Sequence, residues 1–360
     1  MPAHRLSFRQ FLRLISLASL TFLVTAAPAA ASPGTAEWVL LEQASATGTR
    51  SLAKIEPKSR RQPPRRVARR SVPVAATSTA IVPNDPLWRD SWALAKTNAA
   101  RAWSVTTGTS QTVVAVLDTG VDSSHPDLQG AFVDGYDTVN EDTDPSDDHG
   151  HGTMVAGVIA ARANNGIGVA GTCWRCSLMP VKVIAANGSG TAADVAEGIQ
   201  WASDHGADVI NLSFTMSSGN DAVAAAIAHA RTRGAVVVAA AGNTGSSEAT
   251  FPAAYPGVIS VTGTDPSDAR YGWSSYGSWV RLAAPGCNVT TAPSAGYGDF
   301  CGTSSATAFV SGLAGLVRSY APNLSPDAVA EALSAHAAPV GDFVSAGRVD
   351  AAAVLSSLKR

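Results

Sequence analysis

Five short runs of this chain are apolar on nearly every successive position: residues 112–117, 178–184, 207–212, 235–240 and 258–261. A strand with one face in water alternates apolar and polar side chains, so an unbroken apolar run of this length reads as a strand covered on both faces. Between and after these runs lie segments whose apolar residues recur three and four apart, 155–161, 192–204, 221–233, 305–320 and 325–336, the spacing of one helical face. Strands buried on both sides and alternating with helices leave few architectures. We expect an α/β fold, a single domain with a mostly parallel central sheet flanked by helices on both faces in three layers. In such sheets, reacting groups gather beyond the carboxyl ends of the strands, and Asp118 stands at the end of the first run.

That pattern starts near residue 82, and what precedes it is of another kind. Arg5, Arg9 and Arg13 precede and enter an apolar stretch over 11–27, followed by Ala29-Ala30-Ala31. A charged start, a short apolar run and small residues describe a secretory signal cut near Ala31, so 1–31 is expected to be removed and the protein secreted. A membrane anchor is the alternative, against which the run is short and interrupted by Arg13. Within 32–81, residues 37–41 fit one strand, whereas 58–70 is too basic and Pro-rich to pack. Through residue 81 there are 12 Lys+Arg against 3 Asp+Glu, a balance of +9; the remaining 279 residues hold 14 against 25, a balance of −11. The formal net charge of −2 therefore hides two oppositely charged parts. Residues 82–360 are enough for one substantial core. A nucleic-acid partner and a stable membrane anchor are not expected, and a monomer is.

Three segments carry chemistry. Asp118 lies in Val116-Leu117-Asp118-Thr119-Gly120, His151 in His151-Gly152-Thr153-Met154-Val155-Ala156-Gly157, and Ser304 in Gly302-Thr303-Ser304-Ser305-Ala306. A serine hydroxyl is a poor nucleophile unless a neutral imidazole takes its proton and a carboxylate fixes that imidazole. The order Asp, His, Ser is one of three known for such triads. The residues around each member resemble the subtilisin-like (subtilase, S8) peptidases, and the resemblance runs roughly from Pro83 to the C-terminus. It implies a serine endopeptidase working through an acyl-enzyme and made as a precursor. Residues 32–81 would then be a short basic propeptide, shorter than the family's usual one, held on the enzyme by opposite charge; a disordered basic linker is the plainer reading. The implied partners are peptide or protein substrates and the chain's own propeptide. Two rivals are a catalytically silent subtilase fold used for binding and a metal-dependent hydrolase, for which no His-Glu-x-x-His motif is present.

The resemblance also assigns roles. Asp118, not Asp122, orients; His151, not His149, is the base; Ser304, not Ser305, attacks. Asn243, in Ala240-Ala241-Gly242-Asn243, donates to the oxyanion together with the Ser304 N–H. Met154 stands where many relatives have His, His125 matches a structural histidine, and Ala308 stands where subtilases commonly carry Pro. Gly188, Ser189 and Gly190 would flank an extended substrate on one side and Ser213, Phe214 and Thr215 on the other, with Ala240, Ala241, Gly242 and Thr250 around the residue before the scissile bond. Thr215 replaces a frequent glycine and Phe214 is bulkier than usual, so both are expected to reshape this first pocket. No acidic residue is evident there, which favours broad or apolar preference. The acidic stretch Glu141, Asp142, Asp144, Asp147 and Asp148 fits a basic-residue subsite, a cation site or a solvated loop. A structural calcium ion is implied at Asp127 with Ala163, Asn165, Ile167 and Val169, and at Asp85. Four cysteines in an exported chain suggest two disulfides with three connectivities, of which Cys173–Cys176 and Cys287–Cys301 are favoured over a redox or zinc-binding pair.

Overall fold

Val114 and Val116 pack into one apolar core and Ala115 and Leu117 into another, and all four are fully buried. This alternation repeats across the central sheet of the computed structural model, which describes residues 79–359 and the backbone of Trp38–Leu40. The expected signal, and all of the expected propeptide except Trp38–Leu40 and 79–81, lie outside the described residues. The described residues belong to one compact unit, Ala36–Arg360.

The strands are β1 (Trp38–Leu40), β2 (Val113–Asp118), β3 (Tyr136–Asp137), β4 (Ser177–Lys182), β5 (Ser189–Thr191), β6 (Val209–Leu212), β7 (Thr215–Met216), β8 (Val236–Ala240), β9 (Ile259–Thr264), β10 (Leu282–Pro285), β11 (Cys287–Ala292), β12 (Gly296–Cys301) and β13 (Gly347–Arg348). The helices are α1 (Trp92–Lys96), α2 (Ala99–Ala102), α3 (His151–Ala160), α4 (Ala192–Asp204), α5 (Asp221–Thr232), α6 (Thr303–Tyr320), α7 (Pro326–Ala335) and α8 (Ala351–Ser357).

Eight strands form the central sheet in the order β13-β10-β9-β8-β6-β2-β4-β3, and every pairing in it is parallel. Val155, Phe309, Leu313 and Val329 of α3, α6 and α7 pack against Val114, Val238 and Val261 on one face. Val195, Ile199, Val223 and Ile227 of α4 and α5 cover Leu117, Ile210 and Val237 on the other. The chain therefore has the expected α/β fold with three layers. From β2 the order runs one way through β4 and the other way through β6, so the order in which strands are added reverses at β2 while all stay parallel. Crevices of α/β sheets open at such a reversal, and Asp118 is the last residue of β2.

All five expected strands and all five expected helices are present, with shifted ends. Two differences matter for the site. Helix α3 starts at His151, not 155. Strands β11 and β12 form an antiparallel hairpin that the apolar pattern does not reveal, with Cys287 opposite Cys301.

Candidate active site

Asp118 reaches the site because β2 ends there; His151 reaches it because α3 begins there. Gly150, at φ 105°, turns the chain into the helix in a conformation that suits glycine. The first turn has no side-chain cap of its own. Instead, Asp147 accepts from Thr153 N (2.9 Å) and its hydroxyl through one oxygen, and from the amides of His149 and Gly150 through the other. Thr119 Oγ1 accepts from Gly152 N at 3.0 Å and donates to Asp147. These bonds satisfy the amides that a helix start leaves free. A Cβ on Gly152 would lie 2.0 Å from Gly120 O, so only glycine lets α3 approach β2 this closely.

With the two elements so placed, His151 Nδ1 and Asp118 Oδ1 are 2.7 Å apart. Asp118 is fully buried, and its Oδ1 also accepts from Thr119 N at 2.8 Å. Phe300 of β12 meets the imidazole edge to face at 5.2 Å. Among the described residues, no aromatic ring meets that of His149, and its buried Nδ1 has no hydrogen bond. Asp122 accepts from Ser124 N and its hydroxyl in a turn. His125 accepts from Asp127 N through Nδ1 and faces Gly296 O through Nε2.

Ser304 is the second residue of α6, after Gly302 at φ 146°. Helix α6 is buried through fifteen successive residues, and Ala308 continues it without a break. The hydroxyl of Ser304 donates to Ser213 O at 2.9 Å, and Ser213 Oγ donates back to Ser304 O at 3.2 Å. In this rotamer Ser304 bonds Ser213, not His151. Asn243 follows β8, and its Oδ1 accepts both Thr303 N (2.9 Å) and Thr303 Oγ1 (3.1 Å). Thr303 Oγ1 in turn accepts from Gly242 N at 3.1 Å. Sequence reasoning assigned no role to Thr303, although it stands beside Ser304 in the motif.

The flanking residues fall on two strands. Ser189 and Gly190 lie in β5 after Gly188, and Thr215 opens β7 after Ser213 and Phe214. Phe214 is buried in the α4–α5 core. A cavity of about 210 Å³ is lined by Thr215, Thr244, Thr250 and, unexpectedly, Glu248. Of the residues expected around the first pocket only Thr215 and Thr250 line this cavity; Ser213, Phe214, Ala240, Ala241 and Gly242 do not. Thr250 Oγ1 donates to Ala241 O at 2.9 Å, just past the end of β8. Of the acidic stretch, Asp147 caps α3 and Asp148 pairs with the buried Lys182 at 2.6 Å. Lys182 also donates to Thr119 O and Ile184 O, tying the loop after β2 to β4.

The six residues expected to hold calcium converge on one loop. Asp85 accepts from Asn164 N and Asn165 N, and Asp127 accepts from Asn165 Nδ2 and Val169 N. Both carboxylates are buried. Burial pushes the Asp127 carboxyl above its ordinary range against the pull of these bonds, and Asp85 adds to the rise. Burial and the neighbouring Asp127 push the Tyr297 phenol up to about 12. A buried carboxyl raised above its ordinary range beside a second buried carboxyl side chain, with amide and main-chain oxygens nearby, suits a hard cation. Among the described residues, no group of three or more His, Cys, Asp or Glu is placed to hold a metal. Disulfides join Cys173 to Cys176 and Cys287 to Cys301, the latter closing the β11–β12 hairpin just before Ser304.

Comparison with known proteins gives the family. The model of the Subtilase family matches residues 109–352. Thermitase of Thermoactinomyces vulgaris is 42% identical over 272 residues, spanning 75% of this chain and 97% of that protein. The thermophilic serine proteinase of Bacillus sp. (strain AK1) is 43% identical over 248 residues, but the chain spans only 62% of its length. Among solved structures, one described as proteases from Pseudoalteromonas arctica PAMC 21717 superposes with a TM-score of 0.72 at 32% identity, covering 76% of this chain and 99% of that one. The chain belongs to the subtilase family and is a serine-type endopeptidase.

Proposed function

We propose that the chain is exported as a precursor and that its body, from about residue 82, cuts polypeptides with Asp118, His151, Ser304 and Asn243. The observation that carries this mechanism is the 2.7 Å contact between His151 Nδ1 and the buried Asp118. It leaves Nε2 as the nitrogen to take the Ser304 proton and stabilises the imidazolium that results. A peptide laid along β5 and β7 brings its own N–H groups to the carbonyls of that edge, Ser213 O included, and so frees the Ser304 hydroxyl to turn toward His151. Attack on the scissile carbonyl forms an oxyanion. Asn243, with its oxygen fixed by Thr303, turns its NH₂ to that oxyanion, as does the Ser304 N–H at the head of α6. His151 returns the proton to the leaving amine, and water hydrolyses the acyl-enzyme.

Gly188, Ser189, Gly190, Ser213 and Thr215 supply the strand edges for the substrate. Ala240, Ala241, Gly242 and Thr250 surround the residue before the scissile bond, with Glu248 on the wall. A calcium ion held by Asp85, Asp127, Asn165 and the carbonyls of Ala163, Ile167 and Val169 neutralises paired carboxylates and pins the loop, without entering the chemistry. Secretion and removal of the basic leader rest on the signal-like 1–31 and the charge contrast across residue 81. Among the described residues, no helix is long and apolar enough to cross a membrane.

The test is labelling of the folded, matured protein by a serine-directed fluorophosphonate. Label that disappears in Ser304→Ala supports the peptidase mechanism. Absence of label in the wild type leaves the silent binding fold in its place.

A further inference from the structure

Thr107, Ser110, Arg162, Asn164, Trp174 and Arg175 line a cavity of about 730 Å³. Thr107 and Ser110 lie just before β2, at its amino end, whereas Asp118 closes its carboxyl end. The residue steps from Val113 to Asp118 span about 17 Å. This cavity is therefore no part of the cleft around Ser304.

Its charge runs against that of the body. Residues 82–360 hold 14 Lys+Arg against 25 Asp+Glu, yet two arginines line this cavity and no Asp or Glu does. Among the described residues, neither arginine has a carboxylate partner. Arg162 is half-buried and held by three carbonyls: Nη1 donates to Trp174 O and to Cys176 O (3.1 Å), and Nη2 to Gly130 O (2.6 Å). These bonds orient the guanidinium without cancelling its charge. Arg175 is exposed, on the short loop closed by the Cys173–Cys176 disulfide. The two positive charges repel each other, a cost that a bound anion removes.

The wall also holds an orphaned donor. Trp174 is only 5% exposed, and its Nε1 is buried with no hydrogen-bond partner. Nε1 of the neighbouring Trp103, by contrast, donates to Thr172 O at 2.9 Å. A ligand acceptor at this wall would supply the missing partner. The cavity falls within the range of organic-ligand sites, roughly 300–1,000 Å³, and is far too roomy for one inorganic ion.

We propose that this cavity is a second ligand site, remote from the catalytic one, that takes a small organic dianion with one acidic group on Arg162 and the other on Arg175. Arg162 is pre-set by its carbonyls and fixes the first group; Arg175 closes on the second.

Calorimetric titration of the matured protein at low salt tests this. Adipate and 1,4-butanedisulfonate carry two acidic groups on the same short chain, and hexanoate carries one. Both dianions are expected to bind roughly tenfold tighter than hexanoate, the size of one added charge-assisted hydrogen bond, and the tighter of them tells whether carboxylate or sulfonate oxygens suit the site. Arg175→Gln should erase that advantage, and Arg175→Lys, which keeps the charge, should retain most of it. Both variants should cut a small peptide amide at the wild-type kcat/KM, which shows the fold intact. Dianions that bind no tighter than hexanoate, an advantage that survives in Arg175→Gln, or inorganic sulfate binding as tightly as the disulfonate would each overturn the proposal.

Discussion

Thr303 grips Asn243 twice at one atom: its backbone N–H at 2.9 Å and its hydroxyl at 3.1 Å both point to Asn243 Oδ1. An amide whose oxygen is held this way has its NH₂ turned to the opposite side. Asn243→Ala is expected to lower kcat by about 10²–10³ with little change in KM, the loss that follows removal of such a donor in subtilisin. Thr303→Val keeps the backbone bond and loses the hydroxyl, so a smaller loss of roughly tenfold is expected. Combining the two should cost little more than Asn243→Ala alone. Steady-state kinetics on a peptide amide reads all three, and full additivity would contradict a shared role.

Glu248 lines the cavity next to Thr215 and Thr250. It is exposed, so its field is screened and its effect on specificity is graded. Substrates with Lys or Arg before the scissile bond are expected to be cut faster than those with Glu there. Glu248→Gln should narrow that ratio by a few-fold at low salt and by less at high salt. Matched fluorogenic peptides provide the measurement; an unchanged ratio would remove Glu248 from the specificity of this pocket.

Chelation should destabilise the body. A ligand present at a hundredfold over its Kd contributes about 2.7 kcal/mol, which for a domain of this size is a Tm change of roughly 5–10 °C. Asp127→Asn and Asp85→Asn are expected to lower Tm in calcium and to abolish the response to chelator. Scanning calorimetry with and without calcium decides it. A wild type indifferent to chelator argues that the Asp85–Asp127 pair is satisfied by its amide donors alone.

The Cys287–Cys301 bridge closes a hairpin with a sequence separation of 14. Loop-entropy arguments put the contribution of such a bridge at about 3 kcal/mol. The Cys287→Ser, Cys301→Ser double variant should unfold at correspondingly lower denaturant. It should also lose activity before it unfolds, because Phe300, which packs on His151, and Gly302, which opens α6, adjoin Cys301. Equal loss of fold and activity along one denaturation curve would count against that link.

What could be read from the sequence follows physical lines. Strands such as Val236–Ala240 are apolar at every position because both faces are covered, and that leaves a mark within a few residues. Asp118 and His151 were legible because each sits in a distinctive run of small residues that close packing requires. The start of α3 was not legible. Its cap comes from Asp147 in the preceding loop and from Thr119 on another element, so local preference for helix at His151-Gly152-Thr153 says little. Strands β11 and β12 were hidden for a similar reason, since their short polar run Gly296–Cys301 is held by register and a disulfide. Thr303 and Glu248 act on partners far away in sequence or on a cavity wall, and neither leaves a local pattern.

Because β5 and β7 pair only through β1 between them, the cleft admits a backbone in one shape before it reads any side chain. A target segment wound into a helix, or already paired in a sheet, cannot supply that shape without first coming loose. Each 1.4 kcal/mol that holds such a segment in its native fold reduces the fraction available for cutting about tenfold. Among folded proteins, the sites attacked should therefore trace local instability more closely than sequence. To this enzyme, a well-packed protein is scarcely a substrate at all.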